Sequence, residues 1–175
     1  MNRTLTKSAT ALAAVLVPVA ASANDIEIKR WNPEGLSQPD GYSQLVTVKG
    51  EGKWVLLGGK AGINPDGSFP EGLAAQSKLT WENIRIALEA AGATPEDVVE
   101  IQIYIVDLPN VDPSPAYQDV RDFFPAGHKP VSMVIGIDAL AYPGLLIEVK
   151  VRAIVADLDL RQAAERGRAA TAQRV

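Results

Sequence analysis

Residues 98–106 alternate between apolar and polar side chains almost without interruption, reading VVEIQIYIV. Side chains along a strand point to opposite faces in turn, so the three isoleucines share one face while Gln102 and Tyr104 share the other. Such a strand needs a covering layer on its apolar face and tolerates water or a partner on its polar face. The rest of the chain must therefore supply elements that pack on that one face.

Two stretches of the sequence have helical spacing. Residues 73–91 place apolar and small side chains three and four positions apart, and Gly92 follows as a C-terminal cap. Residues 113–124 contain two prolines that fit a first helical turn, and Pro125 ends the segment. We therefore predict a long helix before the alternating strand and a shorter helix after it.

Four further strands are predicted, at residues 42–48, 53–59, 131–138 and 145–156. Gly50–Gly52 separates the first two and predicts a hairpin turn. Residues 139–144 separate the last two. This loop is too short for a crossover helix, so we expect that pair of strands to run antiparallel.

The order of these elements predicts an α+β domain with both helices on one face of a mixed sheet. Alternation along the last two strands assigns one set of side chains to the helix-covered face: Val131, Met133, Ile135, Ile137, Ile147, Val149, Val151 and Ala153. The other set is expected on the open face, where it would meet water, a ligand or another subunit: Ser132, Val134, Gly136, Asp138, Glu148, Lys150 and Arg152.

The N-terminal residues have the pattern of a secretory signal peptide. Arg3 and Lys7 give a basic start, residues 9–20 form an apolar run, and residues 21–23 read Ala-Ser-Ala, a small-residue cleavage site. We expect three parts along the chain: a signal peptide at 1–23, a folded domain at 24–156, and a polar tail at 157–175 with no assigned function. The mature protein is expected to be exported, periplasmic or secreted, without a membrane partner.

The composition excludes several kinds of active site. The 175 residues include no cysteine and one histidine, which rules out thiol nucleophiles, disulfides and Cys- or His-rich metal sites. The net charge of −4 lacks the basic balance that is typical of nucleic-acid-binding proteins. We therefore expect neither a metal nor a nucleic-acid partner.

His128 and Ser132 suggest an acid–base pair at first sight. An extended chain places residues four apart at about 13 Å, whereas a serine nucleophile needs its base within about 3 Å. We therefore interpret His128 as a loop residue and Ser132 as a small residue on a sheet face. Glu148 and Lys150 are expected to neutralise each other on one strand face, and Tyr42 fits either the core or a pocket wall. From pattern alone, the sequence contains no recognisable catalytic constellation.

The segments of the mature chain nevertheless follow one another in a familiar order. They read GYSQLVTV, WVLLGGKAGINPDG, LEAAGATPEDVVEIQIYIVDL, YQDVRDFFP, KPVSMVIGIDAL and PGLLIEVKVRAIV. From about residue 28 to residue 155 this closely resembles the RidA/YjgF family. The resemblance implies a six-stranded mixed sheet with two helices packed on one face, similar to chorismate mutase. It also implies a homotrimer with a small-molecule pocket at each subunit interface, no cofactor, and hydrolysis of 2-imino acids to 2-keto acids and ammonia.

The resemblance also implies where ligand-binding residues lie. Tyr42 matches a family tyrosine, Gly59 a family glycine and Glu148 a strand glutamate. Ser132 replaces the arginine that holds the substrate carboxylate, and Lys150 replaces the glutamate that positions water. The predicted substrate-binding residues are Tyr42, Gly59, Lys60, Tyr117, Ser132, Val134, Glu148 and Lys150, with Glu148 and Lys150 as candidate catalytic residues.

Those two replacements leave the reaction open. A serine lacks the bidentate, charged grip of an arginine on a carboxylate, and a protonated lysine cannot act as a base. Two functions are therefore expected in parallel. One is a deaminase-like hydrolase of enamine- or imine-type metabolites, and the other is a non-catalytic small-metabolite-binding protein on the same scaffold. The acidic charge argues against a third, an endoribonuclease.

Overall fold

The computed structural model describes residues 26–156. Its α-helices and β-strands are β1 (Glu27–Trp31), β2 (Leu45–Lys49), β3 (Gly52–Ala61), α1 (Leu73–Ala90), β4 (Val98–Val106), α2 (Ser114–Phe123), β5 (Val131–Ile137) and β6 (Ile147–Ala156). Strand β1 is not among those that the sequence pattern predicts. The predicted signal peptide and C-terminal tail lie outside the described residues. Neither α-helix within 26–156 is long and apolar enough to cross a membrane.

Both predicted helices are confirmed, and their ends have the expected caps. Gly92 follows α1 with a left-handed φ of 72°, which glycine adopts without steric cost. Pro113 precedes α2 and Pro115 lies in its first turn. The helices meet through Trp81 and Phe123, whose ring centroids lie 4.7 Å apart. This aromatic contact joins α1 and α2 into one layer.

The core lies between the helical layer and the main sheet. α1 contributes Trp81, Ile84 and Leu88, none of them more than 4% exposed. β4 and β6 contribute the side chains predicted for their covered faces: Ile101, Ile103, Ile105, Ile147, Val149, Val151 and Ala153. Each large side chain buried in this way stabilises the fold by roughly 1.5–3 kcal/mol. Hydrophobic burial therefore holds the helices on the sheet.

The main sheet has four strands in the order β3-β6-β4-β5. β4 runs antiparallel to β6 and parallel to β5, and α2 lies on the crossover between β4 and β5. The last two strands therefore run in opposite directions, as predicted. They are not neighbours, however, because β4 lies between them.

The expected single sheet of six strands is wrong for the described residues. β1 and β2 form a separate antiparallel ribbon, which one parallel bridge, between Ser43 and Val131, links to the main sheet. Two local features stop the ladder there. Pro130 has no N–H to donate, and the N–H of Gln44 donates instead to Asn32 Oδ1 at 2.8 Å.

The predicted hairpin at Gly50–Gly52 is also wrong. β2 pairs with β1 and β3 pairs with β6, so the chain passes from the ribbon to the main sheet at this point. Gly50 has a φ of 111°, which favours glycine. At Gly52, a Cβ would overlap the side chain of Ile26 and the carbonyl of Val155. The glycines therefore allow a change of sheet rather than a tight turn.

The two faces of β5 are the reverse of the prediction. In the β4–β5 register Ser132 lies level with Ile101, and Val134 lies level with Ile103, so both residues belong to the helix-covered face. The apolar set predicted there belongs to the open face instead: Val131, Met133, Ile135 and Ile137. Met133 is 45% exposed. β5 is an edge strand, and its apolar side remains uncovered within one chain.

Gln76 is a buried polar residue of α1 whose side-chain nitrogen and oxygen both form hydrogen bonds. Its Nε2 donates to the carbonyls of Pro70 at 3.0 Å and Gly144 at 2.9 Å, and its Oε1 accepts from the N–H of Leu146 at 2.7 Å. The side chain is 1% exposed. It therefore connects α1 to the loop before it and to the β5–β6 loop.

Candidate functional site

A cavity of about 340 Å³ lies between α2 and β5. We call it the tyrosine pocket, and it is lined by Gly41, Tyr42, Ile103, Tyr117, Val120, Arg121, Ser132 and Val134. Helical spacing brings the three α2 residues to one side, and strand alternation brings both β5 residues to the other. Tyr42 closes an end from the segment before β2. Four predicted binding residues, Tyr42, Tyr117, Ser132 and Val134, thus line one cavity.

The lining groups determine what the tyrosine pocket can bind. Its three hydroxyls both donate and accept hydrogen bonds, and the Arg121 guanidinium only donates. Ile103, Val120 and Val134 provide apolar walls. No carboxylate and no imidazole is among these lining residues. The pocket can therefore bind and orient a small anionic or polar molecule, but it contains no general base of its own.

Arg121 is the charged group of this pocket that the sequence prediction missed. Its Nη2 and Nε donate to Gln118 Oε1 at 2.7 and 3.2 Å. Among residues 26–156 it forms no salt bridge, so a neutral amide is its observed partner. A helical offset of four residues from Tyr117 was the available signal, because it places both side chains on one face of α2.

A second cavity, of about 280 Å³, adjoins the first. It shares Gly41, Val120 and Arg121 with the tyrosine pocket, and we call it the histidine cleft. Its own lining residues are Asp40, Phe124, Pro125, Ala126, Gly127, His128 and Lys129. The two cavities therefore meet along the wall that contains Arg121.

His128 is held firmly in the wall of the histidine cleft. Its ring stacks on Phe124 with centroids 5.3 Å apart, and its Nε2 donates to the Val98 carbonyl at 2.9 Å. The same carbonyl accepts from Arg30 Nη2 at 3.2 Å. Burial, followed by the positive charge of Arg30, lowers the pKa of His128 below its usual 6.5. His128 is thus favoured in its neutral form and is not paired with Ser132, which lines the other cavity.

The other predicted site residues lie elsewhere in the chain. Gly59 lies against the Glu148 carboxylate, so closely that a Cβ would overlap it. Lys60 lines a groove along α1. Lys150 is exposed and level with Gln102 on the open face. The structure therefore divides the predicted residues between the tyrosine pocket and a second group on β3 and β6.

The open face of the main sheet carries a polar network. Arg152 forms a salt bridge with Glu100 at 3.1 Å, Gln102 donates to Glu100 at 2.6 Å, and Tyr104 donates to Gln102 at 3.1 Å. The expected pairing of Glu148 with Lys150 is not among the salt bridges of the described residues. One large apolar side chain lies on each side of this network: Leu56, level with Arg152, is 67% exposed, and Met133, level with Gln102, is 45% exposed. The face thus combines polar and apolar groups.

Comparisons with known proteins agree with this architecture. A family model described as endoribonuclease L-PSP matches residues 35–155. Among solved structures, the chain is similar to YyfB of the conserved Rid protein family from Yersinia pestis, with a TM-score of 0.65 and 30% identity. That similarity covers 73% of this chain and 98% of the other.

Two curated relatives extend the comparison. The chain is 33% identical over 101 residues to a RutC family protein from Aquifex aeolicus (strain VF5), which covers 57% of this chain and 77% of that protein. It is 31% identical over 58 residues to a 2-iminobutanoate/2-iminopropanoate deaminase from Escherichia coli (strain K12), which covers 33% of this chain and 45% of that enzyme. The predicted resemblance is confirmed, and the chain belongs to the RidA/YjgF family.

Proposed function

We propose that this protein binds a small 2-imino acid in the tyrosine pocket and hydrolyses it to the 2-oxo acid and ammonia. The observation that carries the proposal is the meeting of Tyr42, Tyr117, Ser132 and Arg121 around one cavity. The size of the cavity suits a compact ligand. Similarity to an enzyme named as a 2-iminobutanoate/2-iminopropanoate deaminase supports the choice of reaction.

The pocket residues have distinct roles in this proposal. Arg121 holds the carboxylate through two N–H groups, and the apolar walls hold the alkyl side chain. Water attacks the carbon of the protonated C=N bond, and its oxygen forms the new C–O bond while it loses a proton. The nitrogen of the resulting carbinolamine takes up a proton. The C–N bond then breaks with its electron pair leaving on ammonia, while the hydroxyl oxygen releases its remaining proton and forms the C=O bond. The hydroxyls of Tyr42, Tyr117 and Ser132 orient the imine and the water.

A base for the attacking water has to come from outside the tyrosine pocket. We propose a homotrimer in which the open face of one chain packs against its neighbours and brings a second chain's Glu148 toward the cavity. The exposed apolar residues Leu56 and Met133 support a contact on that face. The polar network of Glu100 and Arg152 would supply hydrogen bonds within it.

A second candidate function has its own support. The tyrosine pocket lacks a carboxylate and an imidazole among its lining residues, and Lys150 stands where the resemblance implies a glutamate. A protein that binds small metabolites without converting them needs no base. The same pocket would then bind a 2-oxo acid or a related anion as its final ligand.

One experiment separates the two candidates. 2-Iminopropanoate is generated continuously by oxidation of alanine, and oxo-acid release is followed with and without the purified protein. Hydrolysis predicts an acceleration that Tyr117→Phe reduces and Tyr142→Phe, on an exposed loop, leaves unchanged. Saturable binding of pyruvate without acceleration identifies the binding protein instead. Absence of both rejects the pocket as the site.

We also propose that residues 1–23 direct export, as their basic and apolar pattern predicts. Expression in a bacterium with a periplasm, followed by N-terminal sequencing of the exported fraction, should give a chain that begins at Asn24. A chain that begins at Met1 and stays with the cytoplasmic fraction contradicts the proposal.

A further inference from the structure

The histidine cleft is not needed to bind a short imino acid, although it opens directly beside the tyrosine pocket. The two cavities share three lining residues, and one of these is Arg121. A ligand whose carboxylate is held by Arg121 therefore has its substituents directed either toward the tyrosines or toward the cleft.

The charges of the cleft differ from those of the pocket. Lys129 adds a second cation, and Asp40 adds one carboxylate. His128 is favoured as a neutral ring, stacked on Phe124. With Arg121 included, the cleft carries two cations and one anion, which favours a negatively charged group.

The cation-bearing segment is preorganised. The Lys129 carbonyl accepts from Ser43 Oγ at 2.7 Å, and the Pro130 carbonyl accepts from the Ser43 N–H at 3.2 Å. The N–H of His128 donates to the Pro125 carbonyl at 2.9 Å. These hydrogen bonds fix the backbone on both sides of Lys129 before a ligand binds. Only the lysine side chain then loses conformational freedom on binding, which lowers the entropy cost.

We infer that the joined cavities select ligands with a second acidic group, so that the substrate class is the 2-imino or 2-oxo dicarboxylic acids. Arg121 holds the carboxylate next to the reacting carbon, and Lys129 holds the distal carboxylate in the histidine cleft. The inference rests on the proposed function for the identity of the reacting group, but its binding part can be measured without any reaction.

The test uses calorimetric titration of the full chain with stable 2-oxo acids. 2-Oxoglutarate carries two carboxylates, and its 5-methyl ester has the same carbon chain with a neutral ester at the distal end. The dicarboxylate is expected to bind about tenfold more tightly, as a charged hydrogen bond replaces a neutral one. Equal affinities, or no binding of either compound, would overturn the inference.

Variants assign the preference to residues. Lys129→Gln should reduce the preference for the dicarboxylate over the neutral-ended compound to about twofold or less. Lys78→Gln, on the exposed side of α1, should preserve that preference. Arg121→Gln should weaken the binding of both compounds by a similar factor, because both carry the carboxylate next to the 2-oxo group. Asp40→Asn should strengthen binding of the dicarboxylate alone, because it removes a negative charge from the cleft that holds the distal carboxylate. A Lys129→Gln protein with the wild-type preference would contradict the inference.

Failure of the proposed function gives a different result. If the protein prefers 2-oxoglutarate but does not accelerate imine hydrolysis, the inferred ligand class stands and the proposed reaction is rejected. If the protein hydrolyses 2-iminopropanoate but binds the two probes with equal affinity, the proposed reaction stands and the inferred ligand class is rejected.

Discussion

Ser132 lies level with Ile101 on the neighbouring parallel strand, so its hydroxyl faces the tyrosine pocket beneath α2 rather than the open face with Lys150. The two positions at which the resemblance implies an arginine and a glutamate, 132 and 150, therefore lie on opposite faces of one chain. Their consequences can be separated by experiment, because Ser132 shares a cavity with Arg121 and Lys150 does not.

Ser132→Arg should place a second guanidinium in the tyrosine pocket. We expect 2-oxobutanoate to bind about tenfold more tightly, because bidentate, charge-assisted hydrogen bonds replace a neutral one. Calorimetric titration measures the change, and Ser132→Met is the matched control for added side-chain length without charge. If the arginine and methionine variants bind equally well, carboxylates are not held beside position 132.

Gln76→Met should destabilise the fold by about 3 kcal/mol, because it leaves the buried N–H of Leu146 and two carbonyls without their partner. Urea denaturation measures the free energy of unfolding. Gln38 is the matched control: its Nε2 also donates to two carbonyls, those of Pro33 and Leu36, but at the exposed surface. Gln38→Met should change the unfolding free energy by less than about 0.5 kcal/mol. Equal losses for both variants would show that the buried hydrogen bonds of Gln76 are not what stabilises the fold at this position.

The stability of the protein should fall as the pH is lowered through the histidine range. The pKa of His128 is lowered in the fold, by burial and by Arg30, and returns toward 6.5 on unfolding. Between these two pKa values the unfolded chain binds more protons, so the unfolding free energy decreases as the pH falls through the folded-state pKa. The contribution of His128 to the unfolding free energy is therefore fully present above pH 6.5.

Urea denaturation at several values between about pH 5 and pH 8 tests this dependence. His128→Gln keeps an N–H donor but does not titrate, so its stability should vary less with pH over the same range. The shifted carboxyl groups Glu27, Asp66 and Asp112 are exposed and titrate at more acidic pH. Identical slopes for the wild type and the variant would remove His128 as the cause.

Leu56→Glu should convert the proposed trimer to monomers. Leu56 is 67% exposed on the open face, where a buried carboxylate at a subunit contact would carry a large desolvation cost. Light scattering at micromolar concentration gives the mass of each variant. Leu36→Glu, at a residue 53% exposed in the loop before β2, should leave the mass unchanged. A wild-type monomer would contradict the trimer directly.

The sequence predicts those elements whose own residues contain the signal. α1 repeats its apolar residues at helical spacing, and β4 and β6 bury alternate residues under the helices, so their type and covered face are correct. Gly92 and Pro113 mark helix ends by restrictions within the backbone itself. Such local signals do not depend on which strand becomes a neighbour.

Pairing between strands is less accessible from the sequence. The ribbon of β1 and β2 stays apart from the main sheet because of single contacts at Gln44 and Pro130, which no periodicity reveals. The faces of β5 depend on its register with β4 and on the position of α2, and its apolar residues alone favour the wrong side. The four-residue offset between Tyr117 and Arg121 places both side chains on one face of α2, but it does not show that this face covers Ser132, which only the packing of α2 on β5 reveals.

The Val98 carbonyl, which accepts from both Arg30 and His128, couples two distant parts of the chain. A carbonyl has two lone pairs, and here one serves the first strand of the ribbon while the other serves the ring that walls the cleft. Displacing β1 would therefore also change the hydrogen-bonding environment of the cleft wall. Ligand affinity should consequently respond to substitutions in β1, even though no residue of that strand lines either cavity.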